Sequence, residues 1–66
     1  MKLITRYDLA SKNERELRGL YRKAFNALIL SASESVERRN ALASLENLTR
    51  EINKRHSDLW KRDAGL

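Results

Sequence analysis

The residues able to do chemistry are few: one imidazole, His56, nine carboxylates and no cysteine. His56 falls between Ile52 and Leu59 on an apolar stripe, with Glu51 and Asp58 as the acids within reach. Nucleophilic catalysis needs a nucleophile beside a base and an orienting third group. No glycine-rich loop or nucleophile elbow frames this histidine, so its expected role is structural, at the stripe edge or in an interface. Paired carboxylates would have to come from Glu14, Glu16, Glu34, Glu37, Glu46 and Glu51. Most of these have an arginine one helical turn away, which holds them ionised instead of raising a pKa. A single histidine without thiolates cannot build a metal site. These residues predict no catalytic centre, no metal, no cofactor and no small-molecule substrate: the chain is not expected to be an enzyme.

Binding is the chemistry that remains. The chain has 66 residues, 14 Lys+Arg against 9 Asp+Glu, a net charge of +5 and a pI near 10.1. The excess is uneven. Residues 1–23 carry seven basic and three acidic side chains, a net of +4; residues 24–49 carry two and three, a net of −1; residues 50–66 carry five and three, a net of +2. If the first and last segments lie side by side, Arg15, Arg18, Arg22 and Lys23 neighbour Arg50, Lys54, Arg55, Lys61 and Arg62, with Tyr7, Tyr21 and Trp60 in the same half. Basic residues interleaved with aromatics are the footprint of nucleic-acid contact. An inert, solvated basic face is the competing reading, since several of these arginines already have acidic helical neighbours. Trp60 either caps the core or anchors a partner protein. No stretch nears the roughly 18–20 apolar residues of a membrane span; the longest apolar run is Ala27 to Leu30. With no secretory signal at Met1 to Arg6, a soluble, cytoplasmic protein without membrane contact is expected.

The elements that must position these residues are helices. There is no proline, and the only glycines are Gly19 and Gly65. Thr5 with Asp8, Ser11 with Glu14 and Ser31 with Glu34 have the spacing of capping boxes, and Ile4 with Leu9 that of a hydrophobic staple. The expected elements are a short turn near 6–10, a helix from about 12 to 30 and a helix from about 35 to 62, joined by the serine-rich segment 31–35. Glu14–Arg18, Glu34–Arg38, Glu46–Arg50, Glu51–Arg55 and Asp58–Arg62 are acid-before-base pairs four residues apart, each worth roughly 0.2–0.5 kcal/mol on a helix.

Leu42, Leu45, Leu48, Ile52 and Leu59 form an apolar ladder on the second long helix, and Leu17, Leu20, Tyr21, Ala24, Ala27 and Leu28 a matching stripe on the first. Gly19 within the first helix marks either an exposed, tolerated glycine or the close approach of another helix. From Ala24 to Ser33 there is no charge, more apolar surface than one facing helix covers. A chain this small, without cysteine, has self-association as its available staple. The expected architecture is a single all-α domain over residues 1–66: an antiparallel helical hairpin that dimerises into a four-helix bundle. Phe25, Leu28, Ile29, Leu30, Leu42 and Leu45 are the expected dimer interface.

The segments Thr5-Arg6-Tyr7-Asp8-Leu9-Ala10-Ser11-Lys12 and Arg38-Arg39-Asn40-Ala41-Leu42-Ala43-Ser44-Leu45-Glu46-Asn47 resemble those of small helical proteins carried by phages, prophages and plasmids. The resemblance spans most of residues 5–54, assigns no functional residue, and implies a small accessory or regulatory role in a bacterial cytoplasm. The leading functional expectation is a homodimeric interaction protein that binds and modulates a macromolecular partner, with a protein as that partner. The alternative is a nucleic-acid binder using the basic end; a structural assembly subunit is a third reading.

Overall fold

Local capping decides where each helix begins. The computed structural model describes the backbone of residues 1–64 and the side chains of residues 1–57. Among these the chain is all-α, with α1 (Arg6–Ala10), α2 (Glu14–Leu30), α3 (Val36–Ala64) and no strand. Thr5 caps α1: its Oγ1 accepts from the Asp8 N–H (3.2 Å), while Asp8 Oδ2 accepts from the Thr5 N–H (3.1 Å). Ile4 and Leu9, on either side of that cap, both join the core, as a hydrophobic staple requires. α1 is far too short to persist alone, so the burial of Leu9 holds it in place.

Two expected caps move. Asn13, not Ser11, caps α2; Asn13 Oδ1 accepts from the Glu16 N–H (2.8 Å) and Glu16 Oε1 from the Asn13 N–H (3.1 Å). Ser11 cannot serve, because as the C-cap that follows α1 it sits near φ −95°, ψ 0°, whereas an N-cap needs extended backbone. The Ser31–Glu34 box does not form either. Glu34 adopts φ 64°, a left-handed conformation outside the helix, and Ser35 Oγ accepts from the Arg38 N–H (3.0 Å) to begin α3. Arg38 therefore turns from the expected Glu34 pairing to the Leu28 carbonyl (3.3 Å), which also receives the Ser31 Oγ (2.8 Å). Three of the other expected pairs are present: Glu14–Arg18 at 2.7 Å, Glu46–Arg50 at 2.6 Å and Glu51–Arg55 at 2.8 Å. Asp58–Arg62 lies outside the described side chains.

α2 packs along α3, with Leu17 beside Ile52 at one end and Leu28 beside Arg38 at the other. The core is Leu9, Leu17, Ala24 and Leu48, with Met1, Ile4, Leu20, Leu45 and Ile52 packed against it. The inward line of α3 runs through Ala41, Ser44, Leu48 and Glu51. The side chain of Leu59 lies outside the described residues; among the described rungs the ladder is corrected at Leu42, which is half exposed while the small Ala41 and Ser44 are buried in its stead. Those small side chains admit something absent from the sequence reading, the N-terminal segment itself. Its backbone is held by α3 side chains: Asn40 Nδ2 donates to Met1 O (3.1 Å), Ser44 Oγ accepts from the Ile4 N–H (2.9 Å) and Asn47 Nδ2 donates to Ile4 O (2.9 Å). Asn47→Ala should therefore cost about 1 kcal/mol, the net worth of one such bond. Hydrogen exchange would read it as faster turnover of the Ile4 amide; unchanged protection would mean that the Ser44 and Asn40 bonds and the packing of Met1 and Ile4 hold the arm without Asn47.

Asp8 carries the pH dependence of this region. The Thr5 backbone N–H, then the Thr5 hydroxyl, stabilise its charged form and hold the carboxyl below the ordinary 3.8. A depressed value means that the contribution is fully present above 3.8 and is lost as pH falls through the lower folded value. Acidification below 3.8 should accordingly loosen α1 before the rest. An NMR titration of Leu9 and Ala10 amide shifts should show that step in the native chain and lose it in Asp8→Asn; a step retained in the variant would assign it to another group.

Candidate functional site

Of the groups weighed for catalysis, Asp58 has its side chain outside the described residues. His56 is exposed, and shares a shallow hollow with Glu14, Leu17, Ile52 and Arg55. Glu51 and Arg55 in that region are already bonded to each other (2.8 Å). No group of three His, Cys, Asp or Glu side chains suited to a metal ion occurs among the described residues. No helix among them is long and apolar enough to cross a membrane.

The basic residues are divided among several faces. Arg15, Arg18 and Arg22 recur at i, i+3 and i+7, so they line one outer stripe of α2, and all three are exposed. Lys23 falls on the other flank, where it borders a hollow with Lys2 and Lys12 beside the N-terminal segment. Arg50 and Lys54 are exposed on α3, Arg50 in its pair with Glu46. Arg55 is turned to structural use. Its Nε donates to Glu51, and its Nη2 donates to the carbonyls of Leu9 (3.0 Å) and Ala10 (3.4 Å), closing the C-terminal end of α1. Trp60, Lys61 and Arg62 lie on α3 with their side chains outside the described residues.

Leu3 and Tyr7 are exposed in the N-terminal segment, whereas the exposed apolar residues of α2 between Tyr21 and Ile29 gather on one face. Tyr21, Phe25 and Ile29 follow each other at four-residue intervals along one flank of α2 and are 40%, 47% and 64% exposed. On α3, Leu42, Leu45, Thr49 and Ile52 share the corresponding flank by helical period. The two flanks meet where Ile52 lines one hollow with Arg18, Tyr21, Arg22 and Phe25. Near the connection between the helices, Leu30 and Val36 are exposed at 85% and 66%. Of the six residues expected at a dimer interface, Phe25, Ile29, Leu30 and Leu42 are exposed, while Leu28 and Leu45 are half-buried.

The opposite flank of the α2–α3 pair is covered. There Asn40, Ser44, Asn47 and Arg55 bind the backbone of residues 1–10, and Met1, Ile4 and Leu9 supply apolar cover. The sequence reading passed over this polar line, although its signal was present. Three small polar residues of modest helix propensity recur at i, i+4 and i+7 inside an otherwise strong helix, a pattern that calls for a partner. Gly19 is exposed, and a methyl group there would meet nothing within 4 Å, so within the chain it marks no close approach. No protein-family model, curated protein or solved structure matches the chain.

Proposed function

We propose that this chain is a non-enzymatic interaction protein, an antiparallel helical hairpin of α2 and α3 that pairs with a second copy as a four-helix bundle and in that form binds a macromolecular partner. One observation carries the reading. The flank bearing Asn40, Ser44 and Asn47 is closed by the chain's own N-terminal segment, while on the other flank Tyr21, Phe25, Ile29 and Leu42 are 40–64% exposed among the described residues. Apolar area is worth about 25 cal/mol per Å² when removed from water, so several large side chains on one contiguous face favour association. Among the described residues the fully buried apolar side chains are few, Leu9, Leu17, Ala24, Ala41 and Leu48, which points the same way. Sedimentation velocity at micromolar concentration should give a dimer for the native chain and a folded monomer for Phe25→Asp, whose half-exposed position tolerates a charge. A native chain that sediments as a monomer would overturn the bundle.

The stripe of Arg15, Arg18 and Arg22 supports a second reading, contact with nucleic acid through phosphate neutralisation. Electrophoretic mobility shift with generic DNA and RNA separates the two. A complex that weakens steeply with salt favours it, and absence of a complex even at low salt removes its electrostatic basis.

A further inference from the structure

We infer that the two copies meet with their helices reversed, about a dyad that crosses α2 at Phe25 and runs perpendicular to the helix axes. This rests on the bundle reading above and adds its orientation. Two hairpins stacked face to face can be related by a dyad in the interface plane that runs either along the helices or across them. A dyad along the helices puts the like ends of both copies together, with α2 over the partner's α3. A dyad across them puts α2 over the partner's α2 and brings the open end of one copy over the connection end of the other.

Charge favours the second arrangement. Residues 1–23 carry a net of +4, and residues 24–49 a net of −1. With like ends together, Arg18 and Arg22 at the rim of the apolar hollow would sit over the partner's α3 at the end where Arg50 and Lys54 are exposed. With ends reversed, Arg18 at the rim of the apolar hollow lies level with the partner's connection, where Glu34 is exposed at φ 64°, and Arg22 lies one turn short of it. Spacing favours it as well. Tyr21, Phe25 and Ile29 are symmetric about Phe25, so reversal sets Phe25 against its own copy and Tyr21 against Ile29. The aromatic ring at the dyad and the aromatic–aliphatic contacts on either side make the face self-complementary.

The chain has no cysteine, so engineered thiols report on this geometry without interference. Under mild oxidation Phe25→Cys should convert nearly completely to a covalent dimer, because a disulfide forms only where the two β-carbons come within about 4 Å. Tyr21→Cys and Ile29→Cys should each stay uncross-linked alone and cross-link when mixed. If Phe25→Cys instead cross-links only when mixed with Leu45→Cys, the dyad runs along the helices and the inference is overturned. Ionic strength gives an independent reading, since the Debye length falls from roughly 30 Å at 0.01 M salt to roughly 3 Å at 1 M. Reversed ends predict a dimer that weakens as salt rises; one that strengthens contradicts them. Sedimentation of each variant before oxidation separates this outcome from failure of the bundle itself, which would leave only monomers.

Discussion

Leu48→Ala is expected to remove most of the stability of the folded chain. Leu48 is fully buried where α1, α2 and α3 meet, in a core whose other large fully buried apolar residues are Leu9 and Leu17. Cutting a buried leucine to alanine costs about 2.7–5 kcal/mol, combining lost transfer energy with the cavity left behind. A single core in a domain below about 70 residues rarely supplies more than about 3–5 kcal/mol. The loss is therefore comparable to the total. Circular dichroism at 222 nm should show a melting midpoint lowered by at least about 11 °C, at roughly 4 °C or more per kcal/mol for a domain of this size. Leu42→Ala is the informative control. The two leucines are rungs of one sequence ladder, yet Leu42 is 50% exposed, and its truncation should cost the single chain under about 1 kcal/mol. Equal losses at both positions would place the ladder face, not the line through Ala41, Ser44 and Leu48, against the core.

Arg55→Ala should cost about 2 kcal/mol, several times the worth of an ordinary surface charge. Glu51 is nearly buried, with its side chain 10% exposed, and Arg55 is 31% exposed. Removing the guanidinium leaves that carboxylate without its partner and takes a donor from the carbonyls of Leu9 and Ala10. Breaking a fully buried pair costs about 3–5 kcal/mol, and partial exposure of Arg55 lowers the figure here. Arg55→Lys should recover only part of the loss, because an ammonium cannot serve the carboxylate and two carbonyls in one planar fork. Urea denaturation measures both variants against the native chain. A change below about 0.5 kcal/mol for Arg55→Ala would return this residue to the solvated basic surface.

What the sequence determined by itself is the class of element and much of its placement. Thr5 with Asp8, the acid-before-base pairs at 14/18, 46/50 and 51/55, and the serine-rich connection are interactions within three or four residues. Such contacts depend on spacing along a helix, so they can be read off a string of letters where the helix bounds hold. The Ser11–Glu14 and Ser31–Glu34 boxes and the Glu34–Arg38 pair are missing because those bounds moved. The exposed apolar residues Phe25, Ile29 and Leu30 were legible for a similar reason, since the charge-free run from Ala24 to Ser33 exceeds what one neighbouring helix can cover. Tertiary structure decided the choices between locally equivalent options. Ser11 and Asn13 both stand three residues before a glutamate, and only the backbone left by α1 selects Asn13. Leu42 and Ala41 are both apolar neighbours, and the docked N-terminal segment turns the smaller one inward. Arg55 reads as one basic residue among many, and its task emerges only when the Leu9 carbonyl arrives from 46 positions away. The bonds from Asn40, Ser44 and Asn47 likewise span about 40 positions. Whether such groups meet depends on which helix faces come together, and that is fixed by burial of the whole apolar surface at once, not by any local preference.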